Sequence, residues 1–143
     1  MPLWNIHAPE GLYTPEDKQG IATIVTRLYE KYGEMPRFYV SILFHDHPPE
    51  NFYMGGKPAE KFVRIWMDHI ALHVGAEIHG QWLAVVDTSL ASFLTERGID
   101  YEVHGDETPR TMWSINGILP PPTGSEDETR WREENAPSPL TST

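Results

Sequence analysis

The sequence contains no cysteine, which excludes disulfides, thiolate metal sites and a cysteine nucleophile. It has no apolar run approaching a membrane span, and no basic leader followed by an apolar stretch. The expectation is a soluble chain in the cytoplasm. Basic residues are scarce: 11 Lys and Arg against 21 Asp and Glu give a formal charge of −10. That balance argues against nucleic acid and anionic membranes as partners. Part of the acidic excess lies in Glu126-Asp127-Glu128 and Glu133-Glu134, which read as a solvated helix face.

Apolar residues are nevertheless plentiful, at 39% of 143 residues. A chain of this length suits one domain and buries about two-thirds of its unfolded surface. Residues 2–8 read as a strand. Thr14-Pro15-Glu16-Asp17 is a helix start, with Thr14 as N-cap and Pro15 in the first helical position. Ile21, Ile24, Val25, Leu28 and Tyr32 then form one apolar face of a helix that ends near Gly33. The alternation over residues 37–45 predicts a second strand. Phe38, Val40, Ile42 and Phe44 point one way, and Tyr39, Ser41, Leu43 and His45 the other. Residues 61–70, apolar on both faces, predict a central strand. A second helix is expected over about residues 77–97, ended by Gly98, and a fourth strand over 100–104.

The pattern is βαβ twice: an α/β fold with a four-stranded mixed sheet and two helices on one face. Residues 1–122 form this domain. Residues 123–143 are a C-terminal arm or tail, with a short helix around Trp131 opened by the capping box Ser125-Glu126-Asp127-Glu128. Two helices leave the other face of the sheet uncovered, which predicts an oligomer.

Several residues carry potential chemistry. Removal of Met1 would leave Pro2 with a free secondary amine at the start of a buried strand. Burial disfavours the charged form of an amine, so such a group exchanges protons near neutral pH. His45 and His47 share a strand face, and His69 and His73 lie at or just beyond another strand, with Asp46 and Asp68 nearby. These could ligate a metal or serve only as hydrogen-bonding groups at strand ends. The chain has no tight ligand motif such as H-E-x-x-H, so neither a metal nor an organic cofactor is expected.

Met1-Pro2 opening a strand, Thr14-Pro15, the strand ending at Phe44, Asn51 with Gly55-Gly56, and Leu119-Pro120 after Gly117 together resemble the tautomerase superfamily. Within it they are similar to the cis-chloroacrylate dehalogenase-like group. The stretch Glu107-Thr108-Pro109-Arg110 to Asn116-Gly117, followed by prolines, looks like fungal members of that group. The resemblance covers roughly residues 2–135. It implies a homotrimer with sites near subunit boundaries, a small carboxylate substrate, and Pro2 as general base or acid. It places Tyr29 where the dehalogenases have a histidine, and Tyr39 as a wall of the proline pocket. His69 and His73 fall where two arginines would hold the substrate carboxylate, with Arg64 and Arg110 as alternative cations. Asn116 would hydrogen-bond the oxygen that gains charge. Residues 114–116 contain no acid where the dehalogenases have a glutamate. These departures count against hydrolytic dehalogenation or hydration. The expected function is enol–keto tautomerisation of a small 2-oxo or 2-hydroxy-dienoate acid, the alternative a non-catalytic trimeric binding or scaffold protein.

Overall fold

The computed structural model describes residues 1–141. Four strands form the main sheet: β1 (Pro2–Pro9), β2 (Ser41–His47), β3 (Phe62–Ile70) and β4 (Asp100–Thr108). Three helices accompany them: α1 (Pro15–Gly33), α2 (His79–Leu90) and α3 (Glu126–Glu134). A small hairpin pairs Tyr53–Met54 with Lys57–Pro58 between β2 and β3. The sheet order is β2-β1-β3-β4. Each βαβ unit joins parallel strands, while β1 and β3 run antiparallel. This is the mixed four-stranded sheet expected from the two βαβ patterns.

The start of α1 follows from its first four residues. The Thr14 hydroxyl accepts from Asp17 N at 3.1 Å, and the Asp17 carboxylate accepts from Thr14 N at 3.0 Å. Two otherwise orphaned helix-end donors are thereby satisfied. Ile21, Val25, Leu28 and Tyr29 face the core. There they meet Trp4, Ile6 and Ala8 of β1, Val63, Ile65 and Met67 of β3, and Val86 and Leu90 of α2. Tyr29, and not the expected Tyr32, completes the inner face; Tyr32 is exposed.

Three boundaries differ from the sequence expectation. The second strand begins at Ser41, because Pro36 leads into a 3-10 turn over Arg37–Tyr39 closed by Val40 N donating to Arg37 O. Tyr39 therefore leaves the strand alternation and enters an aromatic cluster. The second helix is shorter than residues 77–97: after Leu90 the chain breaks into 3-10 turns at Ala91–Phe93 and Thr95–Arg97, which bury Leu94 between them. The fourth strand runs on to Thr108, because β3 offers it partners along its whole length.

The arm helix α3 docks through Trp131, which is fully buried. Ser125 caps it by accepting from Glu128 N. The reciprocal half of the expected capping box is shifted by one residue: the Glu128 carboxylate accepts from Gly124 N, not from Ser125 N. Ser142 and Thr143, the end of the expected tail, lie outside the described residues.

The helices cover the face of β1 that carries Trp4, Ile6 and Ala8. The opposite face is organised in cross-strand rows. One runs Leu43–Asn5–Trp66–His104 and the next His45–His7–Arg64–Glu102. Arg64 pairs with Glu102, and Trp66 stacks on His104 and donates to Asp106. Leu43 is 46% and Trp66 38% exposed, so apolar surface at the centre of this face is uncovered in a single protomer. No helix among the described residues is long and apolar enough to cross a membrane.

Candidate active site

The amino terminus is tied into the end of the sheet. Pro2 lies opposite His69 in the β1–β3 register and is almost completely buried. Beyond it, Met1 O accepts from Ile70 N at 2.9 Å, and the terminal ammonium donates to Ile70 O. Burial pulls this amine down to about 5, while the carboxylates of Glu128 and Asp68 oppose the fall. Burial thus favours the uncharged form of the Met1 amine.

Beneath it lies a buried polar chain. Trp4 Nε1 donates to the Tyr29 hydroxyl at 2.9 Å, and that hydroxyl lies 2.7 Å from His69 Nε2. The indole can only donate, so the phenol oxygen accepts from it and the phenol O–H is free to donate to His69 Nε2. That assignment leaves the imidazole proton on Nδ1. Burial lowers the His69 pKa to about 4 and raises that of Tyr29. Both groups are neutral at pH 7. Trp82 of α2 packs on both rings, with centroids at 5.2 and 5.9 Å. A hollow of about 180 Å³ opens here, lined by Tyr29, Tyr32, His69, Leu72, His73 and Trp82.

A larger hollow of about 650 Å³ adjoins it across Leu72 and His73, with Ala71, Glu107, Thr108 and Arg110 on its far walls. Ala71 sits at φ 59°, a left-handed conformation that an alanine adopts at some cost. It is held there by Ala71 N donating to Thr108 O at 2.8 Å. The turn folds His73 back onto Glu107: His73 Nδ1 lies 2.7 Å from one carboxylate oxygen, and Val74 N donates to the other. The hydrogen bond to Glu107 raises the His73 pKa, and His73 lowers that of Glu107. Arg110 donates through Nη1 to Pro120 O.

The structure thus brings together Pro2, Tyr29 and His69, and sets His73 and Arg110 on the adjoining hollow. His69 is 4% exposed, and its burial disfavours the protonated form. His73 is engaged by Glu107 through its Nδ1. Tyr39 is buried among Phe38, Trp113 and Trp131, and its hydroxyl has no hydrogen-bond partner among the described residues. Asn116 lies at the exposed tip of a two-residue Asn-Gly turn between Ile115 and Ile118. Its φ of 51° beside Gly117 at 77° is what such a turn requires. His45 and His47 join His7 in a stack of imidazoles, at centroid distances of 4.4 and 5.1 Å from His7. Among the described residues no His, Asp or Glu group is arranged to hold a metal ion. Sequence reasoning gave no chemical role to Glu107 or Trp82. Glu107 stands in the Glu107-to-Arg110 stretch that carried the family resemblance, and that stretch was its only signal.

Comparison with known proteins agrees with this fold. A family model described as "Putative oxalocrotonate tautomerase enzyme" matches residues 1–136, and the chain belongs to that family. No curated protein matches it significantly. Among solved structures it is similar to RhCC from Rhodococcus jostii RHA1, with 44% identity over 96% of this chain and 99% of that one, at a TM-score of 0.92. It is also similar to a probable enzyme from the thermophilic fungus Aspergillus fumigatus, with 35% identity over 98% of both chains and a TM-score of 0.91. N1, a member of the cis-3-chloroacrylic acid dehalogenase family, shares the fold at 20% identity, over 93% of this chain and 97% of that one, with a TM-score of 0.72.

Proposed function

We propose that this protein is a cofactor-independent tautomerase acting on a small 2-oxo or 2-hydroxy-dienoate acid, with Pro2 as its base once Met1 is removed. The observation that carries this reading is the burial of Pro2 at the start of β1, opposite His69 and above the Tyr29 hydrogen bond. A secondary amine there is poised to take the enol O–H proton and return it to carbon, so the base is regenerated and nothing else is consumed. Removal of Met1 also frees Ile70 N–H beside the proline nitrogen, a backbone donor for the substrate oxygen that gains charge. The neutral Tyr29–His69 pair excludes water below the amine. Arg110, with His73 next to it, faces the hollow where the carboxylate would lie. An arginine stays charged throughout and offers a forked donor set. Tyr39 and Asn116 act, on this reading, through the aromatic wall and the hairpin of the mature assembly.

The fold is shared with fused 4-OT wild-type trimers. The uncovered sheet face with Leu43 and Trp66 supports the same assembly here: a homotrimer buries these faces against one another.

Intact-mass measurement together with an enol-pyruvate tautomerase assay tests the function. Loss of Met1, turnover in the wild type and its abolition in Pro2→Ala are expected. Retained Met1 without turnover would instead establish a binding or scaffold protein of this fold.

A further inference from the structure

The middle of β4 carries a glycine that its backbone does not require. Gly105 lies opposite Met67 in a β3–β4 register that runs unbroken from Phe62 opposite Asp100 to Ile70 opposite Thr108. Its φ is not positive, so neither a bulge nor a left-handed turn accounts for it. A Cβ at this position would stand 3.5 Å from Met67 Cε, an ordinary contact, so crowding does not account for it either. A strand-interior glycine without these causes marks a place where a ligand or another backbone comes close.

Beside Gly105, between the edge strand β4 and α2, lies a third hollow of about 360 Å³. Met67, Val103 and Gly105 line it from the sheet, and Trp82 and Leu83 from α2. His69 and Trp82 line both this hollow and the one of about 180 Å³ described above, and His69 is the residue opposite Pro2. Trp82 Nε1 is buried with no hydrogen-bond partner among the described residues. An indole N–H can only donate, and a buried donor left unmet is costly. Among the described residues no lysine or arginine lines the third hollow, whereas the acids Asp106 and Glu107 do. It therefore disfavours a carboxylate and suits an uncharged group. Arg110 lines the hollow of about 650 Å³. The carboxylate end of a substrate is drawn to Arg110, and its other end is left for Gly105.

We propose that Gly105 and Trp82 shape a specificity pocket for the end of the substrate remote from its carboxylate, and that this end is an uncharged aryl group carrying a hydrogen-bond acceptor. This inference rests on the tautomerase reading above. The aryl group lies on the bare backbone of Gly105, against Met67 and Leu83, and its acceptor atom meets the Trp82 N–H. A small unsubstituted enol leaves the pocket empty, so the pocket sets which enols the protein prefers.

The test compares two enols and two inert probes. Turnover is measured with enol-pyruvate and with the enol of 4-methoxyphenylpyruvate, in the wild type and in Gly105→Val. Binding of propanoate and of 3-(4-methoxyphenyl)propanoate, neither of which can tautomerise, is followed by NMR at the Trp82 indole N–H and the Gly105 amide. The aryl probe should bind about 10–100-fold more tightly than propanoate and move both signals. Gly105→Val fills the hollow, so it should remove that advantage and lower the ratio of kcat/KM for the aryl enol over enol-pyruvate by a similar factor. Equal affinities for the two probes, or an unchanged ratio in Gly105→Val, overturn the proposal. Should the valine unfold the protein, Gly105→Ala decides: its Cβ is accommodated beside Met67, and a smaller fall in the same ratio is expected, an unchanged one being fatal. Tighter binding of the aryl probe at Gly105 in a protein that turns over neither enol keeps the pocket and sinks the tautomerase reading. Turnover of both enols without preference, unmoved by Gly105→Val, does the reverse.

Discussion

Tyr29 and His69 share a 2.7 Å hydrogen bond from α1 to β3, directly under the strand position of Pro2. The bond joins the two βαβ units at the point where the amino terminus enters the sheet. It also decides what His69 can do. An imidazole whose Nε2 accepts from a buried phenol is neutral, and it serves the site as a polar floor.

Replacing Tyr29 by Phe leaves two buried groups without partners, Trp4 Nε1 and His69 Nε2. Each unsatisfied buried group costs about 1–3 kcal/mol. Denaturant unfolding should show Tyr29→Phe destabilised by roughly 2–4 kcal/mol. A loss under about 0.5 kcal/mol, the range of ordinary surface changes, would mean the chain of hydrogen bonds is not formed in solution.

The pH dependence of stability follows from the same histidine. Burial lowers the His69 pKa from 6.5 to about 4. The unfolded chain therefore binds the proton more readily than the folded one, and stability rises with pH. The contribution is complete above the unfolded value and is lost as pH falls from about 6.5 towards 4. Its size is roughly 3 kcal/mol by linkage. His69→Gln should flatten the stability profile between those values. A variant with the wild-type slope would place the acid sensitivity elsewhere.

Much of this architecture was legible because it depends on periodicity and caps. Thr14, Pro15 and Ile21 to Leu28 defined α1, and the alternation over residues 37–45 and the apolar stretch over residues 61–70 gave two strands of the sheet. What stayed hidden depends on contacts distant in sequence. Tyr39 alternates correctly for a strand, yet Pro36 and the rings of Trp113 and Trp131 draw it into a turn. His69 reads as a surface cation at a strand end until Tyr29, forty residues earlier, is placed against it. Glu128 reads as one charge in a solvated acidic run. Only the docking of Trp131 sets the helix against Phe38 and Tyr39.

With His69 neutral and His73 balanced by Glu107, the charge left to hold a carboxylate is that of Arg110. Arg110→Gln should raise KM for an acidic substrate about 10–100-fold, the cost of roughly 1.5–3 kcal/mol for a charge-assisted hydrogen bond. Arg110→Lys restores the charge without the fork and should recover part of the loss. His73→Gln should change KM little. The opposite order, with His73→Gln impairing KM and Arg110→Gln silent, would move the carboxylate to the histidine.

The last prediction concerns the uncovered sheet face. His7 Nδ1 lies 2.8 Å from His47 Nε2, and the ring of His7 also stacks on His45 at 4.4 Å, while His45 Nε2 contacts Asn5 Oδ1 at 2.8 Å. A hydrogen bond between two imidazoles needs one of them as acceptor, so the pair accommodates one added proton but not two. Burial, then His45, His47 and Arg64 in turn, lower the His7 pKa. Arg64, opposite His7, is paired with Glu102 on the next strand, and Phe52 lies edge-on to His47. If these faces meet in a trimer, acid drives positive charge into each of them at once, and assembly weakens below the ordinary imidazole range near pH 6.5. Light scattering should report three chains at about pH 8 and smaller species near pH 5, where an unperturbed imidazole is charged. His7→Gln with His47→Gln should extend the trimer to lower pH, whereas Leu43→Glu should dissociate it at both. A trimer indifferent to pH and to Leu43→Glu would mean that the subunits meet through another surface.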